Sequence, residues 1–242
     1  MTATATALRD HYGPHLNNFF DISLKNRYLY VQTPKAATST INRRLIKLEL
    51  IGAPIKQSKV GLHPRVTAAV HLKPYQLPDA LFDEVLTSDK FLRFCFVRNP
   101  YSRILSAYLD KIVSHERPSA PVYTHFGRNF AEPGDSVSFA EFLAYLQLTM
   151  ADRNKWDPHW RPMTSILRPD LVPYDVIGRI ETFDADFAEI NRRLGGIIPD
   201  APSATPHRTD AAKRVGENFT DTLREAVRAI YASDFDTFGY AR

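Results

Sequence analysis

The chain has 242 residues, 44% of them apolar, and a formal net charge of +4 from 31 Lys and Arg against 27 Asp and Glu. This length and apolar content suit one α/β domain with insertions, and the mild charge excess does not indicate nucleic-acid binding. The lone cysteine, Cys95, excludes an intramolecular disulfide, and no apolar run approaches the ~20 residues that span a bilayer. The opening "MTATATALRD" lacks the basic start and apolar centre of a secretory signal, so we expect a cytoplasmic protein without a membrane span.

Three apolar strands, each followed by a helix, are predicted along the chain. The strand and helix pairs are "RYLYVQ" (27–32) with residues 40–50, "FLRFCFV" (91–97) with "YSRILSAYLDKIV" (101–113), and "YDVIGRI" (174–180) with "DADFAEINRRLGG" (184–196). Strands that alternate with helices imply an α/β fold with a mainly parallel sheet flanked by helices.

Two long segments between these units have no sustained periodicity. Residues 116–136 are predicted to be a surface insertion or lid rather than a core element, and residues 198–220 are predicted to be a second loop. Ser138 and Glu141 have the spacing of a capping box and predict the start of a helix. A final helix is expected around "LREAVRAIYASDF" (223–235).

The stretch "TPKAATST", between the first strand and its helix, predicts an anion site. Its small residues allow the backbone to close around a tetrahedral anion, the following helix directs its first amides at that anion, and Lys35 adds a charge. The small residues are Ala36, Ala37, Thr38, Ser39 and Thr40. The loop lacks the glycines of a Walker A motif, and its Lys precedes the small residues. An ordinary strand-to-helix turn with a solvated Lys is the alternative.

A second anion site is indicated by "VRNPYSRILSAY". Arg98 ends the second strand and Ser106 lies on the next helix, so the two side chains can converge on a phosphate, with Arg103 one turn before Ser106. An ion pair for Arg98 and tight packing for Ser106 are the structural alternatives.

These two motifs resemble those of a known enzyme family. "PKAATST" resembles the 5′-phosphosulfate loop, and "FVRNPYSRILSAYLDKI" the 3′-phosphate motif, of sulfotransferases that use 3′-phosphoadenosine 5′-phosphosulfate (PAPS). "DPHWRPMTSILRPDLVPYDVIGRIETF" and "IYASDFDTFGY" resemble segments of the carbohydrate branch, the chondroitin and HNK-1-like sulfotransferase family 2. The membrane anchor and paired cysteines of animal Golgi members are not found, so a soluble member of the bacterial type is expected.

The resemblance implies a single P-loop-like sulfotransferase domain over residues 1–242 that moves the sulfuryl group of PAPS to a hydroxyl of a carbohydrate or glycan. The product from the donor is adenosine 3′,5′-bisphosphate, and no metal is required. The residues implied to bind PAPS are Lys35, Ala36, Ala37, Thr38, Ser39, Thr40, Arg98, Ser106, Arg208 and Thr209.

A histidine is the natural base for the acceptor's proton near neutral pH. The resemblance implies His71 as the catalytic base, together with Lys35, and leaves His159 as the alternative base or an acceptor ligand. Trp160 and Arg161 are implied to contact the acceptor, although a core position for Trp160 is an equal alternative.

Two other functions stay open from the sequence. A nucleotide-dependent kinase is weakened by the missing Walker A pattern and by the lack of metal-binding carboxylates near the loop. A catalytically inactive module that binds a nucleotide or a glycan is the third possibility.

Overall fold

The computed structural model describes residues 3–54, 57, 60–61, 69–132, 134–198 and 219–242. They form two compact units, the first from the described parts of Met1–Val97 and Leu167–Pro206 and the second from those of Arg98–Ile166 and His207–Arg242. The helices and strands are α1 (Ala3–Tyr12), α2 (Leu16–Phe19), β1 (Phe20–Ser23), β2 (Tyr28–Val31), α3 (Thr38–Glu49), α4 (Asp79–Thr87), β3 (Leu92–Val97), α5 (Pro100–Ala107), α6 (Ala120–His125), α7 (Phe139–Leu148), α8 (Met163–Leu167), β4 (Val176–Arg179), α9 (Phe183–Arg193), α10 (Asp221–Ile230) and α11 (Ala232–Phe238).

The first unit contains a four-stranded sheet in the order β1-β2-β3-β4. β2, β3 and β4 are parallel, with Phe94 opposite both Tyr30 and Val176, whereas β1 is antiparallel to β2. The three predicted strands and the mainly parallel sheet are therefore confirmed. β1 was not predicted, because its four residues include the buried Asp21 and give no clear apolar run.

Aromatic side chains on one face of the sheet form the core of the first unit. Tyr30 stacks on Phe94, with 5.2 Å between ring centroids, and alternate residues of a strand share this face. Ile41 of α3 and Ile190 of α9 pack against the same rings. This packing fixes α3 directly after β2 and so determines where the loop between them lies.

The second unit is built from helices around a separate apolar core. Phe142 of α7 meets Trp160 edge-on, with 5.6 Å between ring centroids, and Tyr231 and Phe235 join the same cluster. The predicted capping box at the start of α7 is present, since the backbone N–H of Ser138 donates to Glu141 Oε2 at 2.8 Å. The helix predicted at residues 223–235 is two helices, α10 and α11.

The segment 116–136 differs in part from the sequence-based expectation. It contains a 3₁₀ turn (Arg117–Ser119) and α6, and Val122 and Tyr123 are buried in the core of the second unit. This part is therefore a core element, which so short a helix does not reveal by periodicity. Whether any of the segment acts as a lid stays a prediction.

Across the described residues, none of the helices combines the length and the apolar character needed to cross a bilayer.

Candidate functional site

The loop from Thr33 to Ala37 joins β2 to α3 with an unusual backbone. Lys35 and Ala37 both have positive φ angles, 69° and 57°, in the left-handed region that non-glycine residues seldom adopt. The amide of Ala36 donates to Thr33 O at 3.1 Å, and the Thr38 hydroxyl donates to the same carbonyl at 2.8 Å. When left-handed and right-handed residues alternate, successive backbone N–H groups point into one concavity. Such a concavity at the start of a helix suits an anion.

Thr33 provides an independent test of whether this loop fits a phosphate. Its side chain is 1% exposed, and its Oγ1 has no hydrogen-bond partner among the described residues. A buried hydroxyl without a partner costs about 1–3 kcal/mol, and a phosphate oxygen would satisfy it. The loop therefore fits an anion such as a phosphate group. Sequence reasoning missed Thr33, although it lies directly before the Pro-Lys step.

The residues predicted to bind the anion differ in exposure along this loop. Ala36 and Thr40 are buried, whereas Lys35 is half-buried and retains access to solvent. The amides of Thr40 and Ile41 donate to Ala37 O at 2.9 and 3.1 Å and begin α3. The predicted residues thus form one continuous turn, and their roles in binding stay predictions.

The second predicted site follows β3. β2 and β3 are adjacent and parallel, so their carboxyl ends, Val31 and Val97, lie at the same edge of the sheet, and Arg98 is the next residue along the chain after Val97. Arg98 Nε donates to Ser102 Oγ at 3.0 Å, which holds the guanidinium at the start of α5. Ser106 lies one turn further along and is buried. Ser102 is an additional polar residue here, and its i+4 spacing from Arg98 is the signal that was overlooked.

Arg103 has a different role from the one suggested by its position in the motif. It is 2% exposed, and its guanidinium donates to two backbone carbonyls, Pro158 O at 3.1 Å and Arg161 O at 2.9 Å. Arg103 therefore supports the "DPHWRP" segment from inside the second unit.

His71 belongs to a buried polar network in the first unit. Its side chain is about 5% exposed, Nε2 lies 2.8 Å from Tyr28 Oη, and Nδ1 lies 3.7 Å from Asp21 Oδ1. Asp21 also forms an ion pair with Lys73, and Tyr28 donates to Glu49 at 2.9 Å. Burial lowers the pKa of His71, against the opposing effect of the Asp21 and Glu49 charges. Both ring nitrogens therefore face protein groups.

His159 is in a contrasting environment in the second unit. Its side chain is 30% exposed, and Nδ1 lies 2.6 Å from Asp157 Oδ1. Burial favours the neutral form of Asp157, but hydrogen bonds from the ring and the amide of His159 outweigh it and lower the pKa of this carboxyl. The histidine thus forms a dyad with an ionised carboxylate.

The remaining predicted residues fall into two groups. Trp160 is 3% exposed and takes the core position that the sequence left open, while Arg161 donates to Trp156 O at 2.7 Å. Arg208 and Thr209 lie outside the described residues.

In the described ranges we find no cluster of three or more His, Cys, Asp or Glu side chains arranged to hold a metal ion.

Comparison with known proteins connects this geometry to a family. Carbohydrate sulfotransferase 11 of Rattus norvegicus is 25% identical over 236 residues, which cover 88% of this chain and 64% of that protein. Carbohydrate sulfotransferase 14 of Homo sapiens is 28% identical, covering 90% and 59%, and that of Danio rerio is 29% identical, covering 71% and 47%. The chain thus spans between about half and two-thirds of the length of these relatives.

No solved structure matches the chain. Residues 18–241 match the sulfotransferase family, as the two anion motifs had implied. Because the match covers nearly the whole chain, this protein belongs to the sulfotransferase family.

Proposed function

We propose that this protein transfers the sulfuryl group of PAPS to a hydroxyl group of a carbohydrate. The observation that carries the proposal is the loop after β2, where two left-handed residues and the start of α3 shape an anion site in a chain of this family. The carbohydrate acceptor follows from the names of the relatives, which are carbohydrate sulfotransferases. A cytoplasmic location stays a prediction from the sequence.

The residues of the loop have separate tasks in this proposal. When bound, PAPS supplies a sulfuryl group attached to a phosphate leaving group. Lys35, the amides at the start of α3 and the Thr33 hydroxyl bind the 5′-phosphate and stabilise the charge that grows on it during transfer. Such electrostatic stabilisation acts without reorganisation, because the loop is already shaped by its own hydrogen bonds.

Arg98 and Ser106 bind the 3′-phosphate. Arg98 is held by Ser102, so its guanidinium loses little side-chain freedom on binding, and a guanidinium makes charged hydrogen bonds to phosphate oxygens. The 3′-phosphate distinguishes PAPS from ordinary adenine nucleotides, since ATP and 5′-AMP lack it.

Calorimetric titration tests the nucleotide part of the proposal. Adenosine 3′,5′-bisphosphate should bind at least about tenfold more tightly than 5′-AMP or ATP, because one lost phosphate contact is worth roughly 1.5–3 kcal/mol. Arg98→Ala should remove this preference, and Arg153→Ala, at an exposed position, should keep it. Equal affinity for the bisphosphate and 5′-AMP in the unaltered protein would contradict a 3′-phosphate site.

Transfer of radiolabelled sulfuryl from PAPS to a panel of glycans tests the reaction itself. Transfer to a carbohydrate hydroxyl is the expected result. Tight bisphosphate binding with no transfer to a broad panel would favour the inactive binding module, and a preference for ATP with phosphate transfer would favour the kinase.

A further inference from the structure

We propose that His159 is the base of the reaction and that Asp157 is the residue that positions it. The inference rests on the proposed function, because a base is needed only where a hydroxyl proton must be removed. It depends on the two-residue spacing of "DPH", which brings a carboxylate and an imidazole together on one turn of the second unit.

Asp157 determines which nitrogen of His159 is available. Its Oδ1 lies 2.6 Å from Nδ1 of the ring and 2.9 Å from the backbone N of the same residue. An ionised carboxylate only accepts hydrogen bonds, so Nδ1 carries the ring proton and Nε2 has the free electron pair. Within the described chain all hydrogen bonds of this ring are to Asp157, and the ring is 30% exposed. Nε2 is therefore the atom that can accept a proton from a bound molecule.

Buried side chains hold the turn that carries His159. Arg103 donates to the carbonyls of Pro158 and Arg161, on both sides of the histidine. Tyr231 Oη donates to Trp160 O at 2.6 Å. Three carbonyls within four consecutive residues are thus fixed from inside the second unit. A base held in this way meets the requirement for pre-organisation, which loops supply only when packing and outer hydrogen bonds lock them.

A wide helical turn in the second unit carries a cation whose charge has a small effect on the same carboxylate. Residues Tyr108–Ile112 form a π-helix, in which the Val113 amide donates to Tyr108 O at 3.0 Å. Lys111 lies on this turn and pairs with Asp110 Oδ2 at 3.2 Å, and its charge is the smallest of the effects that lower the pKa of Asp157. Single π-helical turns are rare and frequently occur at functional sites.

His71, the base preferred from the sequence, lacks these properties. It is buried, and its two nitrogens face Tyr28 and Asp21. A ring in that position is suited to stabilise the network of the first unit.

The proposed step conserves atoms and electrons. The acceptor hydroxyl forms a new O–S bond and gives its proton to His159 Nε2, while the S–O bond to the 5′-phosphate breaks and its electron pair stays with the phosphate. Asp157 stabilises the imidazolium that forms, without taking its proton.

NMR of the histidine side chains tests the positioning role without any ligand. In ¹⁵N-labelled protein, at a pH where the ring is neutral, His159 should show the Nδ1–H tautomer, and its signals are identified by their loss in His159→Gln. Asp157→Ala should move the ring toward the Nε2–H tautomer, whereas Asp152→Ala, which removes an exposed carboxylate from the same region, should leave it unchanged. A His159 ring already in the Nε2–H tautomer, or one that ignores Asp157→Ala, overturns the inference.

Kinetics with the acceptor found in the transfer assay tests the catalytic role. His159→Gln should lower kcat by about 10²- to 10⁴-fold while affinity for the bisphosphate is kept. Asp157→Ala should lower kcat by at least about 10-fold with little change in acceptor KM. In serine hydrolases, where an aspartate likewise orients a catalytic histidine, the wrong tautomer lowers kcat by up to about 10⁴-fold. Asp157→Glu should recover part of the loss.

The outcomes separate this inference from the proposed function. A higher acceptor KM with unchanged kcat in both variants would make His159 an acceptor ligand. Loss of transfer in His71→Ala alone, in a folded variant that still binds the bisphosphate, would make His71 the base. Each result overturns the inference and leaves the function standing. The expected tautomer in a protein that transfers no sulfuryl group would overturn the function and the base, and leave Asp157 as a positioning residue.

Discussion

Replacement of Arg103 by Met should strongly destabilise the second unit. Met keeps the unbranched stem but removes the donors that bind Pro158 O and Arg161 O. A hydrogen bond from a charged donor contributes roughly 1.5–3 kcal/mol, so the two together contribute about 3–6 kcal/mol. The loss also leaves the buried Asp234 without the charge of Arg103 nearby. We therefore expect Arg103→Met to lower the free energy of unfolding by about 3–6 kcal/mol.

Urea unfolding followed by tryptophan fluorescence measures this loss directly. The chain has two tryptophans, and both are buried: Trp156 lies just before the turn that Arg103 supports, and Trp160 lies within it. The midpoint should fall while the slope of the transition is unchanged. Arg153→Met, at an exposed position of the same unit, should change the free energy of unfolding by less than about 0.5 kcal/mol. A loss below about 1 kcal/mol for Arg103→Met would refute the view that this guanidinium holds the turn.

Three further predictions concern the anion loop and the start of α7. Lys35→Ala should lower kcat more than it weakens bisphosphate binding, because the charge on the leaving phosphate grows in the transition state; unchanged kcat in a folded variant contradicts this. Ser138→Ala should lower the free energy of unfolding by about 1 kcal/mol through loss of the helix cap, which urea titration measures. Hydrogen bonds from Arg128 and Ser138 lower the pKa of Glu141 from 4.5 to about 2, so this carboxylate stabilises the protein above pH 4.5 and the stabilisation disappears as the pH falls toward 2. The stability difference between Glu141→Gln and the unaltered protein should shrink over that range, and a constant difference would contradict the assignment.

The sequence determined the features that depend on neighbouring residues. The apolar runs at residues 27–32 and 91–97 predicted strands, and their alternation with helices predicted a mainly parallel sheet. The small residues after Lys35 predicted a turn that can hold an anion. The capping box at Ser138 was equally readable. Strand periodicity, turn composition and helix caps are all set by residues a few positions apart, so they leave a local pattern. The same motifs were sufficient to identify the family.

The tertiary structure alone decided which polar residues are buried and what they contact. Asp21 meets Lys73, and Arg103 meets the carbonyl of Arg161, although each pair is more than fifty positions apart in the chain. Local sequence carries no signal of such pairs, because only the fold brings the two groups together and buries them. Once they are buried, leaving either group unpaired is costly, and the bond between them is stronger than in water. The contrast between the buried ring of His71 and the partly exposed ring of His159 has the same origin: the two histidines have the same chemistry, and the packing around each decides how much of the ring solvent can reach.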